Sequence, residues 1–143
     1  MKILAAIASI VTIITGIFVL WDRMDSNGKH YGAISYTNTG LYGSSWSQAG
    51  SDEAKNSALK DCKTQAKGKT CKTRMLQDQE CAALVRTKKT VDGKKRRLAI
   101  IGLGKSSDAA QVTALKTCDR KNKKDQTKAA CKIVTSVCAD GRH

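Results

Sequence analysis

The chain has 143 residues, enough for one domain, and setting aside a long apolar N-terminal segment leaves about 120 residues to build a core, which excludes a second one. Apolar residues make up 41% of the sequence but only six are Phe, Trp or Tyr, so the core is aliphatic, Ala-rich and thin, a situation in which covalent cross-links matter. Lys and Arg number 26 against 12 Asp and Glu, a net charge of +14, more than solubility requires.

From Ile3 to Trp21 no charged residue occurs, and Lys2 precedes the run while Asp22, Arg23 and Asp25 follow it. This pattern predicts export: residues 1–21 form a signal peptide or an N-terminal membrane anchor, with 22–29 as a short linker. The 19-residue run is longer than a typical cleavable signal, and the best small-x-small site, Ala6-x-Ala8, comes too early, so both options stay open. Lys2 and the α-amine favour a cytoplasmic N-terminus, which places the remainder in the periplasm or outside the cell.

A hairpin is expected next, from HYGAISY (30–36) through a Thr-Asn-Thr-Gly turn to LYGSSW (41–46). The following SDEAKNSALKDC (51–62) opens with Ser and Asp, which suit a helix N-terminus, and Ala54, Ala58, Cys62 and Ala66 recur every four residues. Small residues on that stripe let the helix backbone lie close to a sheet. A strand is expected from Cys71 (CKTRMLQ).

The order then repeats. SDAAQVTALKTC (107–118) agrees with residues 51–62 at seven of twelve positions, at a constant offset of 56. Before it lie CAALVR (81–86), a turn around Asp92-Gly93, and RLAIIGLG (97–104), which predict a second hairpin whose loop is about six residues longer than the first. After it, CKIVTSVC (131–138) predicts the last strand. The expected fold is α+β: tandem ββαβ repeats over about 30–79 and 80–138, related by a pseudo-twofold. They form a mainly antiparallel sheet of about six strands with two helices on one face, followed by a tail at 139–143.

All six cysteines follow the apolar segment, and an even count in a short exported chain reads as a disulfide framework; the metal alternative lacks Cys-x-x-Cys or His-x-x-x-His spacing. The repeat suggests local bridges, Cys62 with Cys71 and Cys118 with Cys131. Cys81 and Cys138 remain, each read as near the end of the third strand of its half, so their bridge is expected to clamp the halves across the pseudo-twofold.

The series Tyr-Gly-Ala-Ile-Ser-Tyr (31–36), Ala-Leu-Lys-Asp-Cys (58–62), Cys-Ala-Ala-Leu (81–84), Ala-Leu-Lys-Thr-Cys (114–118) and Cys138 resembles a bacterial family of secreted proteins known as domain of unknown function 4189. The resemblance covers residues 30–138 and implies an exported, cysteine-paired domain; it supplies no catalytic residues. This chain departs from it in being lysine-rich.

Charge is the most distinctive functional signal. The second hairpin carries Arg86, Lys88, Lys89, Lys94, Lys95, Arg96 and Arg97 against Asp92, and the segment after Cys118 carries Arg120, Lys121, Lys123, Lys124 and Lys128 against Asp119 and Asp125. A third group is Lys60, Lys63, Lys67, Lys69, Lys72 and Arg74. If these converge they attract an anionic envelope component or an acidic protein; dispersed, they are solvated loops. Nucleic acid is disfavoured, since neither basic loop contains an aromatic stacking residue. Tyr31, Tyr36, Tyr42 and Trp46 read as core bulk more readily than as a binding surface.

Catalysis, cofactor and metal have no support. No Gly-x-Ser-x-Gly elbow or phosphate-cradling Gly motif occurs, and His30 and His143 sit at the two ends of the domain. Asp52 and Glu53 are better explained by a helix dipole than by acid-base work. The expected function is a non-catalytic exported binding domain; the alternatives are an immunity protein, inhibitor or secreted effector acting on another protein, and a hydrolase using His30 or Asp52.

Overall fold

The computed structural model describes residues 28–142. The expected export segment lies outside them, as does most of the linker. The elements run β1 (Tyr31–Tyr36), β2 (Tyr42–Gln48), α1 (Ser51–Ala66), β3 (Lys72–Gln77), β4 (Cys81–Val91), β5 (Lys94–Gly104), α2 (Ser107–Lys124) and β6 (Lys132–Cys138), the order ββαβ twice over. Among the described residues no helix is long and apolar enough to cross a membrane.

The fold is α+β, and its six strands divide into two antiparallel sheets of three, β2-β1-β3 and β5-β4-β6. The reason they do not make one continuous sheet lies in burial on both faces. Every residue from Cys81 to Val85 is buried, so β4 needs cover above and below, which a sheet with helices on one side only does not provide. On one face Cys81, Ala83 and Val85 pack with Ile100 against Ala110, Ala114 and Cys118 of α2. On the other, Ala82, Leu84 and Val137 meet Ile34 and Leu76 of the first sheet, with Tyr36, Tyr42 and Ile101 alongside. The first sheet in turn carries α1, through Ala33, Ala54 and Ala58. The result is four layers, helix, sheet, sheet, helix, with each helix on the outer side of its own half.

The small-residue stripes bring helix and sheet very close. A Cβ on Gly102 would lie 2.3 Å from the amide nitrogen of Ala114, and one on Gly43 would lie 2.4 Å from the carbonyl oxygen of Ala58. Both positions therefore require glycine for backbone approach. The helix starts fall one residue earlier than the Ser-Asp pairs suggest. Ser106 is the N-cap of α2 and its hydroxyl accepts from the Ala109 amide, while Gly50 occupies that place in α1 without a side-chain bond. Ser107, thus released, bonds Ser136 of β6 at 2.8 Å.

The disulfides are Cys62–Cys71, Cys118–Cys131 and Cys81–Cys138, and no described cysteine is free. The first two tie each helix to the strand after it. The third does not clamp the halves. Cys81 opens β4, the first strand of the second half, and sits directly opposite Cys138 on β6 of the same sheet. The equivalent rung of the first sheet is Tyr31 opposite Gln77, so one half carries one bridge and the other carries two.

The extra residues of the second hairpin are not loop either. They extend the β4–β5 ladder as far as Val91 opposite Lys94, closed by a two-residue turn, Asp92-Gly93, with positive φ at both positions (51° and 72°). An Asp-Gly pair favours this turn geometry, and its twist matches that of the paired strands. The basic segment after Cys118 is likewise helical through Lys124, with Lys121, Lys123 and Lys124 in the last turn, where cations complement the helix dipole.

Candidate functional site

The two basic segments meet where the long hairpin outruns the first sheet. The β1–β2 turn closes over the second sheet at the level of Arg86 and Ala99: the Ala99 amide donates to the Asn38 carbonyl at 3.0 Å, and a Cβ on Gly40 would lie 3.0 Å from Cδ of Arg86. Past that rung the face of the hairpin that would be covered by the first sheet is open. On it, strand alternation places Arg86 and Lys88 side by side. Register puts Lys132 of β6 directly opposite Arg86, and Arg97 of β5 directly opposite Lys88.

These four cations line a cleft of about 370 Å³ whose remaining wall is Thr87, Ala129 and Ala130. No carboxylate belongs to it. The ion pairs among the described residues are Arg74 with Glu80, Lys89 with Asp125 and Arg142 with Asp140, and none involves the cleft. Like charges directly opposite on paired strands are destabilising, so the cleft holds uncompensated repulsion.

The wall is positioned by Asn122, a buried residue of α2. Its amide nitrogen donates to the Ala129 carbonyl at 2.6 Å and to Thr87 Oγ1 at 3.3 Å, and lies 3.3 Å from the Cys131 sulfur. The Cys118–Cys131 bridge pins the same segment. At the offset of 56, Asn122 stands where the first half has Ala66. A polar residue on an apolar stripe was the signal that could have found it. Lys132 was also missed, because it lies outside the basic runs and joins them only through pairing.

The other basic residues lie around the cleft rather than in it. Lys89 and Arg96 face each other on the opposite side of the hairpin, and Lys89 bridges to Asp125 at 2.8 Å, docking the hairpin on the end of α2. Lys94 and Lys95 are exposed beside the hairpin turn, and Arg120, Lys121, Lys123 and Lys124 are exposed on the last turns of α2. The third group belongs to the first half, around the end of α1 and the start of β3, and lies outside the cleft.

Other surfaces offer less. A larger hollow of about 570 Å³ lies at the connection between the halves, but Asp78 and Glu80 line it against the single cation Lys105, so it is no site for an anion. Tyr31, Tyr36 and Tyr42 are half-buried against the cores, whereas Trp46 is 44% exposed on β2. His30 and Asp52 are both exposed and neither lines the cleft. Among the described residues no three His, Cys, Asp or Glu come together as a metal site. At Asp140, partial desolvation raises the pKa, but hydrogen bonds from the backbone and guanidinium of Arg142 outweigh it and hold the carboxyl below its ordinary value.

A family model described as a domain of unknown function (DUF4189) matches residues 31–138. No curated protein and no solved structure matches the chain.

Proposed function

This chain belongs to the DUF4189 family, and we propose that it is a non-catalytic, exported binding domain. It engages an anionic partner through the β4–β5 hairpin and the basic end of α2. The observation that carries this reading is the pair of like-charge rungs, Arg86 opposite Lys132 and Lys88 opposite Arg97, with no acid between them. An anion relieves that repulsion on binding, so its stabilising effect is larger here than at scattered lysines. Export is supported by the pairing of all described cysteines, since such bridges persist in oxidising compartments, together with the uncharged run at 3–21. The periplasm, the envelope surface and the medium all satisfy this.

Retention on heparin or on vesicles rich in anionic lipid tests the reading. It should weaken steeply between low and physiological ionic strength, and a Lys94→Gln, Lys95→Gln, Arg96→Gln, Arg97→Gln variant should elute at clearly lower salt. Retention indifferent to salt, or unchanged in that variant, would remove the basis for an electrostatic partner. A protein-directed role, as an immunity protein, inhibitor or effector, draws on the partly exposed Trp46 on edge strand β2. It requires a stoichiometric acidic protein partner whose binding falls on Trp46→Ala.

A further inference from the structure

Resting on the anion reading above, a narrower inference concerns the cleft alone: we propose that it holds a single tetrahedral, phosphate-type dianion between Arg86, Lys88, Arg97 and Lys132. Register fixes the spacing. Arg86 and Lys132 form one directly opposed pair and Lys88 and Arg97 another, two residues along β4. Opposed side chains start about 5 Å apart and successive rungs of one face about 7 Å apart. Because β5 and β6 flank β4 on opposite sides, the four roots form a zigzag whose ends, Arg97 and Lys132, start about 12 Å apart, a span that long Arg and Lys side chains can close on one anion in the cleft they all line.

The types of residue narrow the ligand class. Two guanidiniums supply forked donors that match the oxygens of phosphate or sulfate, and two ammoniums add point charge without geometric demand. A monoanionic carboxylate leaves most of the four charges uncompensated, whereas a dianion with several acceptor oxygens can bond all of them. The remaining wall, Thr87, Ala129 and Ala130, is small and presents no ring for a base to stack on. The site is also built rather than merely exposed. The β1–β2 turn packs on the stem of Arg86, and the Ala129 carbonyl is held at 2.6 Å by Asn122. Asp125, an acid at the end of α2, is engaged by Lys89 from the hairpin's other face.

The phosphate group could be free in solution or be a lipid headgroup, and the experiment separates the two. Calorimetric titration of the oxidised full-length chain with inorganic phosphate should give saturable binding with a stoichiometry of one. An Arg86→Gln, Arg97→Gln variant should lose at least about tenfold in affinity, and a Lys94→Gln, Lys95→Gln variant at the hairpin tip should stay within about twofold. If the double arginine variant fails to fold, the exposed single variants Lys88→Gln and Lys132→Gln carry the same test. Binding to phosphatidylcholine vesicles doped with phosphatidic acid, displaced by millimolar phosphate, identifies the headgroup as the source. Phosphate binding without vesicle binding identifies a free phosphate. No saturable phosphate binding, or unchanged affinity in the cleft variants, overturns the inference. If salt-sensitive retention on heparin persists in that case, the broader anion reading survives; if retention is lost too, both fall.

Discussion

Replacing Gly102 by alanine is the most direct test of how α2 sits on the second sheet. The new Cβ would fall 2.3 Å from the Ala114 nitrogen, 2.6 Å from the Ala110 oxygen and 2.7 Å from the Ala114 Cα. All three are helix backbone, so no side chain can turn aside. Restoring an ordinary contact of 3.4 Å lifts the helix by about 1 Å along the stripe Ala110, Ala114, Cys118. A gap of that size forfeits a quarter to a half of the dispersion energy of each contact across it. Together with overpacking strain, the expected loss is about 2–3 kcal/mol, against a total of about 5–15 kcal/mol for a domain of this kind. For a chain of this length each kcal/mol lowers the melting temperature by about 4 °C, so the oxidised variant should melt roughly 8–12 °C below wild type by circular dichroism. Gly43→Ala should cost as much, because its Cβ meets Ala58 and Cys62 backbone at 2.4 and 2.5 Å. Gly50→Ala, with its nearest neighbour at 4.0 Å, should cost under about 1 kcal/mol. Melting of Gly102→Ala within about 2 °C of wild type would refute the close helix-sheet contact.

Two further outcomes are expected. Replacing disulfides by serine pairs should rank by the chain each bridge closes. Cys81–Cys138 spans 57 residues and should cost about 4 kcal/mol, while Cys118–Cys131 (13) and Cys62–Cys71 (9) should cost about 3 kcal/mol or slightly less; denaturant titration showing the reverse order would contradict the chain-entropy account. Asn122→Ala should destabilise by about 2 kcal/mol by leaving the Ala129 carbonyl and Thr87 hydroxyl without their partner, and should weaken phosphate binding; loss of neither stability nor phosphate affinity would show that Asn122 does not position the cleft wall.

The duplicated helix segment made most of the fold legible, because Ser-Asp, Ala-Leu-Lys and Cys recur at one offset and carry the hairpins and third strands with them. The pairing of Cys62 with Cys71 and of Cys118 with Cys131 followed from that same equivalence. What the duplication did not convey was layering. The alternation of Ala82 and Leu84 with Cys81, Ala83 and Val85 is apolar throughout, and a strand with two buried faces has no period to show which partner lies on which side. The expected clamp between the halves fails for a related reason: Cys81 opens the second half's first strand, as the hairpin reading already has it, and the register pairs it with Cys138 inside that same half. The basic residues were visible as a composition, but their sorting was not. Alternation along an extended ladder separates Lys88 from Lys89 and Arg96 from Arg97, and a loop reading erases that alternation. Asn122 stands out locally as a polar residue on an apolar stripe, whereas Lys132 joins the cleft only through its pairing with Arg86, which no local pattern encodes.

Since each bridge closes within its own half, the two halves share a single covalent link, the short stretch from Gln77 to Cys81. Among the described residues the halves otherwise meet through apolar contact and backbone hydrogen bonds, such as that from the Ser47 amide to the Ala139 carbonyl. Cutting that stretch yields two fragments that oxidation cannot hold together, and their persistence as a pair measures the adhesion of one sheet for the other. The architecture is that of two self-sealed subunits on one polypeptide. The half with the additional bridge and the lengthened hairpin is also the one that carries the basic cleft.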